Sequence, residues 1–161
     1  MRNKRRQRGF AHERDLVLKL WNKGFAVLRA PASGAKTRRT AVPDVVAIKS
    51  GVVYCFEVKT TRKTRTIYIP KHQVDKLREF VKRAGGRGFV AVKIIGESGW
   101  RFIPVEMLEE TSGGNYKVTA ETMARGYRLK DLVAMASGNK SLDEYVSSSS
   151  DPDISVSEVQ E

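Results

Sequence analysis

Hydrophobic residues recur at helical spacing in two stretches of the chain and fill several shorter runs between them. Leu16, Val17 and Leu20 mark the apolar face of a helix predicted over about 11–23, which Gly24 ends. A second helix begins at Pro70 and stops before Gly85. Strands are predicted over 25–29, 44–49, 52–59, 89–95 and 100–103. This order predicts an α/β fold with a mixed central β-sheet flanked by helices.

The pattern is weaker outside these elements. Residues 30–43 are predicted as a loop, and 105–108 and 129–136 as short helices. Trp21 and Phe102 are predicted to be core residues because they continue apolar runs. The chain is therefore divided into a flexible basic arm (1–8), one compact domain (9–136) and a disordered, Ser-rich acidic tail (137–161).

Composition adds a partner class to this outline. The formal net charge is +12 and the pI is about 10.0, which favours an anionic partner and above all nucleic acid. A membrane surface is the weaker alternative, because no basic helix has a bulky apolar opposite face. No apolar run could span a bilayer or serve as a signal peptide, and Cys55 is the sole cysteine. We therefore expect an intracellular protein without disulfides or a zinc cluster; its acidic tail could bind a protein partner.

The predicted hairpin places charged residues at the ends of two apolar strands. A symmetric turn at Ser50-Gly51 sets Asp44 directly across from Glu57, and Lys59 lies on the same strand face as Glu57. Two carboxylates at this separation can share one divalent cation, which removes their mutual repulsion. The hairpin therefore predicts a site for a hard metal ion.

Glu13 lies on the apolar face of the first predicted helix, where a carboxylate requires a partner. One interpretation is a structural ion pair with a buried arginine, such as Arg29 at the end of the first strand. The other is a third metal ligand. Both roles can coexist.

The sequence Pro43-Asp44, followed after twelve residues by Glu57-Val58-Lys59, resembles the motif of the restriction-endonuclease-like nucleases. Three further segments strengthen the likeness. They are Glu13-Arg14, Arg29-Ala-Pro-Ala-Ser33-Gly34 and Gly99-Trp100-Arg101-Phe102. Together they resemble the archaeal Holliday junction resolvases over about 9–103.

That resemblance implies a restriction-endonuclease-like fold and a homodimer that nicks four-way DNA junctions symmetrically in recombination and repair. It also implies Glu13, Asp44 and Glu57 as metal ligands and as members of a catalytic set with Arg29, Ser33 and Lys59. The metal would be Mg²⁺, with Mn²⁺ as a substitute, and the main-chain carbonyl of Val58 is expected to be a further ligand. The residues expected to contact DNA are Arg14, Lys36, Arg38, Arg39, Lys63 and Arg65.

Two other functions are compatible with these residues. One is a restriction-like or repair endonuclease acting on other DNA structures, since the active-site residues alone do not set the substrate. The other is a non-catalytic basic DNA-binding protein, which leaves the grouping of Asp44, Glu57 and Lys59 unexplained. The basic loop and Lys63 and Arg65 also have a plainer interpretation as solvated surface charge.

Overall fold

The computed structural model describes residues 2–30 and 41–138. Its centre is a five-stranded sheet in the order β1-β2-β3-β5-β6, in which β3 and β5 are parallel and the other neighbours are antiparallel. The strands are β1 (Ala26–Arg29), β2 (Val45–Lys49), β3 (Val52–Thr61), β5 (Arg87–Ile94) and β6 (Trp100–Pro104). The predicted mixed α/β architecture is confirmed.

Helices cover the sheet on both faces. They are α1 (Arg2–Asn22), α2 (Lys71–Ala84), α3 (Ala120–Ala124) and α4 (Leu129–Ser137), with a 3-10 turn at Val105–Met107. Within the described residues, none of these helices has the length and apolar character needed to cross a membrane. The basic segment predicted as a flexible arm is helical from Arg2. Helix α1 thus begins nine residues before the start that the apolar spacing indicates.

A second, three-stranded sheet was not predicted. It consists of β4 (Ile67–Ile69), β7 (Glu109–Glu110) and β8 (Tyr116–Val118), in the order β4-β8-β7. These strands have two or three residues each, so none carries a recognisable alternating pattern. Pairing of β4 with β8 joins segments that are far apart in the chain, and tertiary contacts rather than local propensity stabilise it.

The alternation of side chains along the central strands produces two separate cores. Val45, Ala47 and Phe56 point to the face covered by α1 and α4, whereas Val46 and Cys55 point to the face covered by α2 and the second sheet. Both faces are therefore buried, as the continuous apolar runs of the hairpin indicate. Phe102 is fully buried as predicted, but Trp21 is 62% exposed, so its assignment to the core was wrong.

Close packing fixes α2 against the sheet. Val74 and Leu77 of this helix are buried, and a β-carbon at Gly88 in β5 would come within 2.9 Å of Val105 and 3.0 Å of Val81. A larger side chain at that position would push α2 away from the strand. The position of the first turn of α2 relative to β3 is thus set by packing, which matters for the site below.

Candidate active site

The hairpin forms in the predicted register. Ser50 and Gly51 both have positive φ, as a two-residue hairpin turn of this hand requires, and Lys49 then pairs with Val52 and Val45 with Phe56. Continuing this register by one residue brings Asp44 opposite Glu57. The turn chemistry at one end of the hairpin thereby determines which carboxylates meet at the other end.

Asp44 lies directly before β2 and is held by hydrogen bonds from β3 and from the residue that follows β1. Its carboxylate Oδ2 accepts a hydrogen bond of 2.7 Å from the backbone N–H of Val58, and its carbonyl accepts one of 2.9 Å from the N–H of Ala30. Burial raises the pKa of Asp44, although the Val58 hydrogen bond and the charge of Lys59 act in the opposite direction. The carboxylate is therefore fixed in place but disfavoured as an isolated anion.

Glu57 lies beside Asp44 in a poorly solvated position, with a side chain that is 14% exposed. Burial, and then the neighbouring charge of Asp44, raise its pKa to about 7, while Lys59 lowers it. Lys59 Nζ lies 3.4 Å from Glu57 Oε1 and donates a hydrogen bond of 2.5 Å to Gln73 Oε1. Asp44, Glu57 and Lys59 thus converge as predicted.

This carboxylate pair fits a divalent cation. Burial raises the pKa of both acids, and the charge of Asp44 raises that of Glu57 further, so a bound cation would help both to ionise. Oxygen donors are also the ligands that Mg²⁺ and Mn²⁺ prefer. Within residues 2–30 and 41–138, however, no group of three His, Cys, Asp or Glu side chains is close enough together to hold a metal ion. The structure therefore brings together two of the three predicted carboxylate ligands.

Glu13 is the third predicted carboxylate, and it faces Arg29 at the edge of the site. The Oε2 atom of Glu13 is 3.9 Å from Nε of Arg29, which confirms the ion pair considered from the sequence. Burial and the charge of Asp44 raise the pKa of Glu13, and Arg29 lowers it. The charge of Asp44 therefore disfavours ionisation of Glu13 as it does that of Glu57. Its role as a direct metal ligand stays a prediction, as does that of the Val58 carbonyl.

A cavity of about 280 Å³ opens beside the carboxylates. Asp44 and Glu57 line one side, and His72, Gln73 and Lys76 from the first turns of α2 line the other. The sequence predicted α2 itself but not its contribution to this site. The only available signal was the short connection from β3 to Pro70, which does not specify the side of the helix that faces the strand.

The predicted DNA-contacting residues fall into two groups. Arg14, Lys63 and Arg65 are exposed, whereas Lys36, Arg38 and Arg39 lie outside the described residues. The predicted catalytic residue Ser33 and the predicted tail from 139 onward also lie outside them. Arg65 also lines a cavity of about 540 Å³ between α1 and the end of β3. Three further basic residues border this cavity and were not predicted, namely Arg8, His12 and Arg62.

Comparison with known proteins identifies the family. Residues 4–141 match the family model described as archaeal Holliday junction resolvase (Hjc). The chain belongs to the archaeal Holliday junction resolvase family. The match extends beyond the 9–103 stretch in which the motif residues lie, and it includes the second sheet and α4.

Individual relatives agree with this assignment. The chain is 48% identical over 131 residues to the crossover junction endodeoxyribonuclease Hjc of Sulfurisphaera tokodaii, covering 81% of this chain and 89% of that protein. It is 40% identical over 141 residues to that of Sulfolobus acidocaldarius, covering 86% and 96%. The solved structure of Archaeoglobus fulgidus Hjc, a Holliday junction resolvase, superposes with a TM-score of 0.70 at 31% identity, covering 79% and 96%.

Proposed function

We propose that this chain is a structure-specific DNA endonuclease that resolves four-way junctions by Mg²⁺-dependent phosphodiester hydrolysis. The observation that carries the proposal is the largely buried Asp44–Glu57 pair beside Lys59, in a chain of this family. A merely DNA-binding protein gains nothing from two adjacent carboxylates, since they repel phosphate. A metal-dependent hydrolytic site uses such a pair to hold its cation.

Asp44 and Glu57 would hold Mg²⁺, and Mn²⁺ is expected to substitute for it. Mg²⁺, when bound, supplies positive charge next to the scissile phosphate and makes a neighbouring water more acidic. Lys59 adds a positive charge that favours the phosphate as negative charge develops on it. The pairing with Glu57 and the hydrogen bond to Gln73 orient its ammonium group.

Basic residues near the site support binding of the DNA backbone. Arg62 and Arg65 follow directly from β3, and together with Arg8 and His12 they surround the larger cavity. Arginine side chains in a groove contact phosphate without reading sequence, which suits a substrate recognised by its shape. We propose that one arm of the junction passes along this cavity. Arg14 and Lys63, together with Lys36, Arg38 and Arg39 outside the described residues, would contact adjacent phosphates.

A homodimer is part of the proposal because the substrate has two strands to cut. A four-way junction is approximately two-fold symmetric, so a two-fold dimer would present one active site to each of two strands. Exposed apolar residues at the β1–β2 edge, such as Leu28 at 66% exposed, are compatible with association. Light scattering should give twice the mass of the chain. We expect the dimer to be intracellular and associated with DNA.

The decisive comparison of substrates uses a synthetic four-way junction and a linear duplex with the sequence of its arms. With Mg²⁺, the protein should place paired nicks in two opposite strands of the junction and leave the linear duplex largely intact. Equal cleavage of the two substrates would disprove junction specificity while retaining the nuclease. Tight junction binding without cleavage, with either Mg²⁺ or Mn²⁺, would disprove the endonuclease itself.

A further inference from the structure

The side chain of Gln73, in helix α2, reaches the side chain of Lys59 in strand β3. It lies in the first turn of α2, where its backbone N–H donates a hydrogen bond of 3.0 Å to the carbonyl of Pro70. Its side-chain Oε1 accepts the 2.5 Å hydrogen bond from Lys59 Nζ. The side chain is half-buried and borders the same cavity as Asp44 and Glu57.

The packing of α2 makes this contact a fixed one. Val74, next to Gln73, and Leu77, one turn later, are 1% exposed and hold the helix against the sheet. The side chain of Gln73 is therefore presented to β3 from a rigid backbone, which is the arrangement that positions catalytic groups reliably. Lys59 in turn has two acceptors, Glu57 and Gln73, on different elements.

The chemistry of the amide explains why glutamine suits this position. A lysine side chain has four rotatable bonds and loses much conformational freedom when its ammonium is held in one place. A neutral amide oxygen can accept its hydrogen bond without adding a third negative charge beside Asp44 and Glu57. The amide therefore orients Lys59 without placing a further anion between it and the phosphate.

We propose that Gln73 is a positioning residue, which acts on the reaction by orienting Lys59 through this hydrogen bond. The inference rests on the proposed function and goes beyond it, because it assigns to α2 a part in the chemistry. In this role Gln73 acts through Lys59 and makes no contact with the DNA. Its loss should therefore affect the rate of cleavage and leave the affinity for the junction unchanged.

Two substitutions separate this role from simple packing. Gln73→Leu keeps a similar volume and removes the acceptor, so we expect single-turnover cleavage of a four-way junction to slow about 10- to 100-fold. Gln73→Glu keeps an acceptor at the same reach, so it should cleave faster than Gln73→Leu, although more slowly than the wild type because of its added charge. Junction affinity of Gln73→Leu should stay within about twofold of wild type, since no contact to DNA is removed.

The matched control is Glu79→Gln, an exposed position later in α2 that pairs with Arg83 away from the site. It should cleave at the wild-type rate. Wild-type cleavage by Gln73→Leu, or equally slow cleavage by Gln73→Glu and Gln73→Leu, would overturn the inference while leaving the proposed function intact. Gln73→Ala repeats the test if Gln73→Leu does not fold. An inactive wild-type protein would instead disprove the proposed function.

Discussion

The β2–β3 hairpin contains two regions with opposite physical character. At the end of its ladder of paired residues, farthest from the turn, Val45 and Phe56 are a fully buried apolar pair, and the Phe56 ring lies 5.4 Å from that of Phe102 between centroids. One residue further along lie two acids, Asp44 and Glu57, whose pKa values are both raised by burial, and the charge of Asp44 raises that of Glu57 further. The first region stabilises the fold, whereas the second opposes it until a cation arrives.

The contrast shows that the stability gained by burying apolar side chains offsets the cost of burying two acids at the candidate active site. Burial of apolar surface along this ladder holds the strands in register, and that register brings the two carboxylates together. Active sites commonly contain groups that destabilise the folded state, and packing of the surrounding core offsets that cost. Neighbouring residues of one strand should therefore respond in opposite directions to substitution.

Phe56→Ala should have the largest effect on folding. Removal of this fully buried ring leaves a cavity in the aromatic cluster with Phe89 and Phe102, which is expected to lower the free energy of unfolding by about 3–5 kcal/mol. Denaturant unfolding without metal measures the change. A loss below about 1 kcal/mol would show that the apolar ladder of the hairpin does not carry the stability assigned to it.

Glu57→Gln should act in the opposite direction. In metal-free protein at pH 8 it removes a buried anion from the side of Asp44, so we expect the free energy of unfolding to rise by about 1–3 kcal/mol. Glu79→Gln, at an exposed site, is the control and should give no such gain. Added Mg²⁺ should then stabilise the wild type more than Glu57→Gln, because only the wild type retains both carboxylates. A destabilised Glu57→Gln would contradict the comparison.

The pH dependence gives a smaller effect with a defined sign. The pKa of Glu57 rises from an ordinary value of 4.5 to about 7 on folding, so the folded state binds its proton more tightly than the unfolded chain does. The contribution of Glu57 to stability therefore falls as pH increases from about 4.5 to about 7 and levels off above that. The stability difference between Glu57→Gln and wild type, measured without metal, should grow across this window. A difference independent of pH would exclude Glu57 as its source.

Arg65→Ala should leave both regions of the hairpin unaffected and alter only the attraction to DNA. Loss of one phosphate contact should weaken junction binding and reduce the slope of log affinity against log salt by about 1. Thermal unfolding of the variant should match wild type, because the side chain is exposed. An unchanged salt slope would remove Arg65 from the DNA-binding surface.

The sequence predicted those features that depend on local pattern. The two-residue turn at Ser50-Gly51 sets the hairpin register, and the apolar runs beside it indicate strands buried on both faces. From these two facts alone, the meeting of Asp44 with Glu57 could be predicted. The ion pair of Glu13 with Arg29 was likewise anticipated, because a carboxylate on an apolar face requires a partner.

Features that depend on contacts distant in the chain escaped prediction. The strand β8 pairs with β4 across about fifty residues, and its three residues carry no signal of their own. Trp21 appeared to continue an apolar run, yet α1 presents it to solvent. Gln73 is an ordinary polar residue at a helix start, and only the docking of α2 on the sheet brings it to Lys59. Such roles arise from tertiary packing.

The most direct test of the account is single-turnover cleavage of a four-way junction by wild type and Glu57→Gln, with protein saturating and Mg²⁺ present. We expect paired nicks from the wild type and a rate at least about 100-fold lower from Glu57→Gln, with equal junction binding, because a ligand of the catalytic cation is lost. Cleavage by Glu57→Gln at the wild-type rate would contradict the account, since the buried carboxylate pair would then have no part in the reaction.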